Sequence, residues 1–286
     1  MKIRWNYLPI AIGAALAIGH IACLAEGLKL ELNLVSRSSV KERFRAGAVS
    51  AAGRQGEIDE LFKQVGCLTE KQRVDKRSAN VICTLPGETD ATIVIGGHFD
   101  YAEEGTGMVD DWSGASLLPS LYQTLKDKPR RHTYEFVAFA GEERGLLGSS
   151  HYVKKLSAEQ RARIAAFINL ECLGLTPPKV WTHRSTPILV ERLAEIARAA
   201  HIPLQGVDVD KVGDDDTHPF LLKKIPVISI HSVTQETWGI LHSRRDNVNA
   251  IHSDDYYDAY QLVAFYLAYL DVKLQPSATA SVTSVR

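Results

Sequence analysis

Four short apolar runs constrain this chain more than any other feature: "ATIVIGG" (91–97), "TYEFVAFA" (133–140), "AAFINL" (165–170) and "IPVISIHS" (225–232). Short continuous apolar runs suit strands covered on both faces. Between and after them come helix-like segments: "SGASLLPSLYQTLKD" (113–127) with Ser113 as a candidate N-cap, "RGLLGSSHYVKKL" (144–156), "PILVERLAEIARAAH" (187–201) and "DDYYDAYQLVAFYLAYLD" (254–271). Such alternation predicts an α/β fold, a mixed and mainly parallel sheet sandwiched between helices. A short strand is expected near "KVWTH", and residues 36–66, poor in Pro and Gly, read as helical. One domain is expected over 38–272, followed by a polar, disordered tail at 273–286.

The residues that end the runs are chemically related. His98 and Asp100 follow the first, Glu142 and Glu143 the second, Glu171 the third, and an intervening loop, "MVDDWSG", offers Asp110 and Asp111. Ligands of open α/β sheets bind beyond the carboxyl ends of the strands. Carboxylates gathered there repel one another unless a cation joins them, and imidazole with carboxylate suits zinc and related divalent metals. An isolated "EE" is ordinarily a solvated turn. Here the pair has a use, because one glutamate can bind metal while its neighbour handles a proton.

The segments "GGHFD", "DDWSGAS", "FAGEERGLLGS", "NLECLGL" and "LHSRRDN" resemble the motif series of the M28 zinc peptidases, in order and spacing, from about residue 80 to 271. The resemblance implies a zinc-aminopeptidase-like fold, two Zn2+ per chain and a peptide substrate. It implies His98 as a ligand with Asp100 behind it, Asp110 as the bridging carboxylate, and Glu142 as general base. Glu143, Glu171 and His242 complete the metal set, with His98 and Glu171 on one zinc and Glu143 and His242 on the other. Glu171 replaces a more usual Asp. In "DDDTHPF" (214–220) Thr217 replaces the family's His, so Asp216 is given only a pocket or supporting role and His218 none. His231, which ends its own strand, rivals His242. Trp112 and Trp238 could line a pocket or simply pack.

The N-terminus carries Lys2 and Arg4, then an apolar stretch from Leu8 to Ala25. Residues 1–25 read as a signal peptide, cut before Glu26 after the small residues Cys23 and Ala25, or as a membrane anchor. A buried N-terminal helix is the unexported alternative. A lipoprotein site at Cys23 is disfavoured by His20 at a position that usually holds Leu. Export is therefore expected, to the periplasm or beyond. Cys67 and Cys83 flank two short strands and could form a disulfide or remain free thiols. The formal net charge of −1 offers no general attraction to nucleic acid.

The leading function is a metal-dependent exopeptidase, most simply an aminopeptidase. Alternatives on the same fold are a single-zinc glutaminyl-peptide cyclotransferase, against which "DDWSG" counts, and a carboxypeptidase. A non-catalytic binding ectodomain is the reading from a different class, and the filled ligand positions count against it.

Overall fold

The computed structural model describes residues 20–25, 27–47, 50–102, 104–209 and 213–274. A hairpin comes first, β1 (His20–Ala25) against β2 (Leu28–Asn33), followed by α1 (Arg37–Arg45) and α2 (Ala51–Gln64). Ser36 and Ser50 cap these helices, each accepting a backbone N–H three residues on. Next are β3 (Thr69–Arg73), β4 (Ala79–Leu85), β5 (Thr92–His98), α3 (Ser113–Ala115), α4 (Leu118–Leu125) and β6 (Thr133–Phe139). The second half holds α5 (Leu147–Lys155), α6 (Ala158–Arg163), β7 (Ile164–Leu170), β8 (Lys179–Val180), α7 (Pro187–Ala199) and β9 (Gln205–Gly206). It closes with α8 (His218–Leu221), β10 (Val227–His231) and α9 (Ser253–Lys273).

Eight strands form one sheet in the order β3-β4-β6-β5-β7-β10-β8-β9. The central four, β6, β5, β7 and β10, are parallel, and β4 and β8 run against them. Alternate residues of β5 serve opposite faces, as the strand period demands. Ile93 and Ile95 join the large core under α1, α2, α4, α7 and α9, whereas Val94 faces the smaller core with α5 and α8. In that smaller core Phe167 stacks on Phe220 at 3.9 Å between ring centroids. Both faces are covered, which is why the central strands read as unbroken apolar runs. The predicted sandwich is the observed architecture.

Three local expectations change. The 113–127 helix is split into α3 and α4. Pro119 has no N–H with which to continue the hydrogen-bond ladder. Ser113 is no cap: its hydroxyl donates to the Val109 carbonyl at 2.7 Å and accepts from the Leu173 amide at 2.7 Å. The 144–156 helix begins only at Leu147, because Gly145 and Leu146 both donate to the Glu142 carbonyl and both have positive φ.

The N-terminal segment is described only from His20. Ordered structure starts ahead of residue 38, since β1 and β2 pack on α7, α9 and α4. Cys23 and Ala25 are buried in the core. A cut before Glu26 would fall between β1 and β2 and remove a packed strand. Residues 1–19, which include most of the apolar segment, and the tail from 275 lie outside the described residues. Among those described, no helix is long and apolar enough to cross a membrane. Cys67 and Cys83 are joined as a disulfide, with Cα atoms 6.2 Å apart.

Candidate metal centre

The parallel register decides which side chains meet. His98 pairs with Phe139, so Glu142 and Glu143 lie just past the same edge of the sheet. Gly96 pairs with Asn169, and two further residues along each strand bring His98 level with Glu171. Asp110 reaches this edge on the loop after β5.

Asp110 sits between the two predicted histidines. One oxygen is 3.1 Å from His98 Nε2 and the other 3.1 Å from His242 Nε2. Glu171 Oε1 lies 3.5 Å from His98 Nε2, and Glu143 Oε2 lies 3.2 Å from His242 Nε2. Two groups therefore have donor atoms close enough to hold an ion, His98–Asp110–Glu171 and Asp110–Glu143–His242, with Asp110 common to both. Glu142 belongs to neither. Its Oε2 stands 3.7 Å from His98 Nε2, beside the groups rather than in them. The donor set is all imidazole and carboxylate, which fits zinc.

The rival histidine is excluded by its bonds. His231 is buried, its Nδ1 accepts from the Val233 amide at 3.1 Å, and its Nε2 faces the Val207 carbonyl at 2.9 Å. Burial also pushes its pKa down to about 4, so it is a neutral structural imidazole. Asp100 differs in detail from expectation. Its backbone carbonyl, at 3.1 Å, lies closer to His98 Nδ1 than its carboxylate at 3.7 Å. The carboxylate instead accepts from the amides of Gly141 and Glu142, at 2.7 and 3.0 Å. Asp100 thus fixes both the imidazole and the turn bearing the paired glutamates.

The electrostatics are those of a cluster lacking compensation. Burial, with Asp216, Glu171 and Asp110 nearby, pushes Glu142 up to about 10. Burial and the neighbouring Asp110 bring Glu143 to about 7. Against its own burial, Asp110 is held well below the usual carboxylate range by hydrogen bonds from His242 and His98. The same pairing raises His242 to about 9. A divalent cation would relieve the repulsion.

The cluster opens into a cleft of about 620 Å³, within the usual range for ligand pockets. Trp181, Val209, Val233 and Leu241 give it an apolar wall, and Asp214, Asp215 and His218 line another side. Among the described residues, no Lys or Arg lines it. Asp216 is fully buried and is not part of the lining. Neither candidate tryptophan lines the cleft. Trp112 is buried, its Nε1 donating to the Phe44 carbonyl at 2.6 Å, and Trp238 is half exposed.

Three residues support the site: Asp111, offered in the sequence beside Asp110 without a role of its own, and Asp246 and Asn169, which the sequence reading missed. Asp111 accepts from the amides of His98, Gly114 and Cys172, at 3.2, 2.9 and 3.0 Å, knitting three site segments together. Its carboxylate passes over Gly97, where a Cβ would lie 2.9 Å from Oδ2. Asp246 accepts from the amides of Val109 and Asp110, at 2.7 and 3.3 Å. Its place four residues after His242, within a quoted motif, was the available signal. Asn169 orients Glu171 through a 3.2 Å bond and Asp215 through a 3.1 Å bond.

A mixed, mainly parallel α/β sheet with a carboxylate common to two imidazole–carboxylate groups at its carboxyl edge is the arrangement of a metal-dependent hydrolase. The family model described as peptidase family M28 matches residues 80–267, and the chain belongs to that family. A probable leucine aminopeptidase of Trichophyton verrucosum is 31% identical over 189 residues, 60% of this chain and 50% of that protein. The chain thus spans about half the length of that relative. The structure of a zinc aminopeptidase from Bacillus subtilis aligns with a TM-score of 0.62 and 25% identity, over 70% of this chain and 52% of that one. A glutaminyl cyclase from an Acidobacteriales bacterium aligns with a TM-score of 0.68 and 20% identity, over 83% and 94% of the two chains, and shows the fold alone.

Proposed function

We propose that this protein is a zinc aminopeptidase with two metal ions per chain. The observation carrying this reading is Asp110, whose two oxygens face His98 and His242, each in its own ligand group. Zinc bound there supplies a Lewis acid for the scissile carbonyl and lowers the pKa of a water. Glu142, outside the ligand groups but beside them, takes the proton of the attacking water and delivers it to the leaving amine. Asp100 holds Glu142 in place through its backbone amide. The cleft favours an amino-terminal substrate over a carboxy-terminal one. Its carboxylates suit an α-ammonium group, and among the described residues its lining has no Lys or Arg to receive an α-carboxylate.

Export is part of the proposal. The disulfide suits an oxidising compartment. Because β1 is packed into the core, processing is expected at or ahead of His20, which N-terminal sequencing of the secreted protein checks.

The functional test is a panel of aminoacyl anilides, N-blocked peptides and N-terminal glutaminyl peptides, with metal content measured on the same sample. Two zinc ions per chain and hydrolysis of free-amine substrates alone, lost on chelation, are expected. One zinc per chain with cyclisation of N-terminal glutamine would replace the proposal with the cyclotransferase reading. Cleavage of N-blocked peptides would replace it with a carboxypeptidase.

A further inference from the structure

Arg54 lies on the first turn of α2, outside the segment matched by the family model, yet its side chain is fully buried behind the metal-centre loops. Nη1 donates to the carbonyls of Phe99, at 3.2 Å, and Gly107, at 2.9 Å, and Nη2 donates to the carbonyl of Thr106. The guanidinium also lies over the rings of Tyr101, at 4.6 Å, and Trp112, at 5.4 Å. One planar group thus holds two loops. The Phe99 carbonyl belongs to the Phe99–Asp100 peptide, directly after His98. The Thr106 and Gly107 carbonyls belong to the turn that leads to Asp110.

That turn has little freedom elsewhere. Gly107 has φ +55°, and a Cβ there would meet Tyr101 Cβ at 2.2 Å. From the other side Asp246 accepts the amides of Val109 and Asp110. Arg54 donates to the carbonyls of the loop and Asp246 accepts its amides, so the segment bearing the shared carboxylate is gripped from both sides. A guanidinium is needed because its five N–H groups lie in one rigid fork. A lysine ammonium in the same cavity could reach one or two of the carbonyls, leaving the rest buried without a donor.

We infer that Arg54 is a positioning residue for the metal centre, setting the Asp110 carboxylate relative to His98 through the 99–101 and 106–110 loops. This rests on the metal-centre reading above. Arg54 touches no substrate and no ligand atom. Its effect is on the geometry of Asp110, and because both ligand groups share Asp110, both metal positions should weaken together.

The test compares wild-type protein with Arg54→Lys and Arg54→Ala, each zinc-stripped and refilled. Zinc affinity is read by competition with a chromophoric chelator, the thermal midpoint is measured without metal, and kcat and KM are measured with zinc in excess. Supporting groups of metal ligands typically contribute about 10–100-fold to affinity or activity. Arg54→Lys should therefore bind both zinc ions about 10-fold more weakly or worse. Its kcat should fall by a similar factor, its KM should change less than about 3-fold, and its metal-free midpoint should fall as well, because the carbonyls left without a donor are buried. Arg54→Ala should be weaker still in zinc affinity. A purely structural role predicts the lowered metal-free midpoint alone, with wild-type zinc affinity and kcat in the folded fraction, and that result overturns the assignment. Arg54→Lys matching wild type in every reading overturns it as well. Wild-type protein that takes up no zinc overturns the metal centre itself, and this assignment with it.

Discussion

The two ends of the parallel sheet both bury carboxylates, and they treat them in opposite ways. At the amino end of β6, Asp271 accepts the amides of Arg131, at 3.0 Å, and His132, at 2.8 Å, with His132 Nδ1 at 3.2 Å. Although burial opposes ionisation, these bonds hold its pKa below the usual carboxylate value. At the carboxyl end of the same strand, Glu142 and Glu143 are raised to about 10 and 7, chiefly by burial, with other carboxylates adding to it. One end is internally satisfied. The other carries a charge excess that no Lys or Arg among the described lining residues balances. A buried charge that the fold does not neutralise marks a binding site more reliably than a buried charge that it does.

The paired glutamates should give the largest effect. Glu142→Gln keeps the shape and can still hydrogen-bond a water, but it cannot accept a proton. General base catalysis contributes about 10²–10⁴-fold, so kcat should fall by that order with KM little changed and zinc retained. Glu143→Ala removes a member of one ligand group and should lose zinc as well as activity. Zinc stoichiometry and kcat measured on the two variants together decide the matter. Glu142→Gln losing zinc while Glu143→Ala keeps it would reverse the roles.

Much of this contrast was readable in the sequence at one end and not at the other. The central strands announced themselves because β5, β6 and β7 are covered on both faces. Their terminal His98, Glu142, Glu143 and Glu171 stood out as polar residues directly after apolar runs. Asp110 and His242 needed the motif resemblance, since they lie on loops with no periodicity. Asp271 gave no signal, because its partners are backbone amides about 140 residues away in sequence. Arg54 was hidden for the same reason, its acceptors being carbonyls 45 to 53 residues downstream. The β1–β2 hairpin was legible in principle. "LKLELN" alternates, and the structure buries Leu30 and Leu32 between exposed Lys29, Glu31 and Asn33. The expected leader or anchor over residues 1–25 overlaps β1 at its end.

A smaller effect, and a sharper test of the comparison, is the pH dependence of zinc-free protein. Glu143 has a folded pKa of about 7, above the unfolded value of about 4.3. Such a group holds its proton more tightly when folded, so stability falls as pH rises from about 4 toward 7. His242 is raised to about 9, above about 6.5 unfolded. Its contribution is complete below the unfolded value and is lost as pH rises through the folded one. Both slopes have the same sign, so the midpoint of zinc-free protein should decline from pH 5 to pH 9. Zinc should raise the midpoint and flatten the curve, because bound metal replaces the protons as the compensating charge. Melts with and without chelator across that window measure it, and a zinc-free curve that is flat or rising would show that the cluster is not uncompensated.

The smallest effect is expected at the satisfied end. Asp271→Asn keeps an acceptor oxygen but loses the charge that the Arg131 and His132 amides surround. It should cost about 1–3 kcal/mol of stability at pH 7. The folded pKa of Asp271 is depressed, so its contribution is present above the unfolded value near 3.9 and disappears as pH falls below it. The gap between variant and wild type should therefore close in acid, opposite in sense to the zinc-free slope at the other end. Catalysis should be untouched, because β6 runs from Thr133 to Phe139 and at roughly 3.3 Å per residue separates the two ends by about 20 Å. Chelation should lower the midpoints of variant and wild type by equal amounts if the ends are independent, within about 0.5 kcal/mol. A variant that loses zinc affinity or kcat would mean that the two ends of the sheet are coupled, and the contrast between them would no longer be one of separate sites.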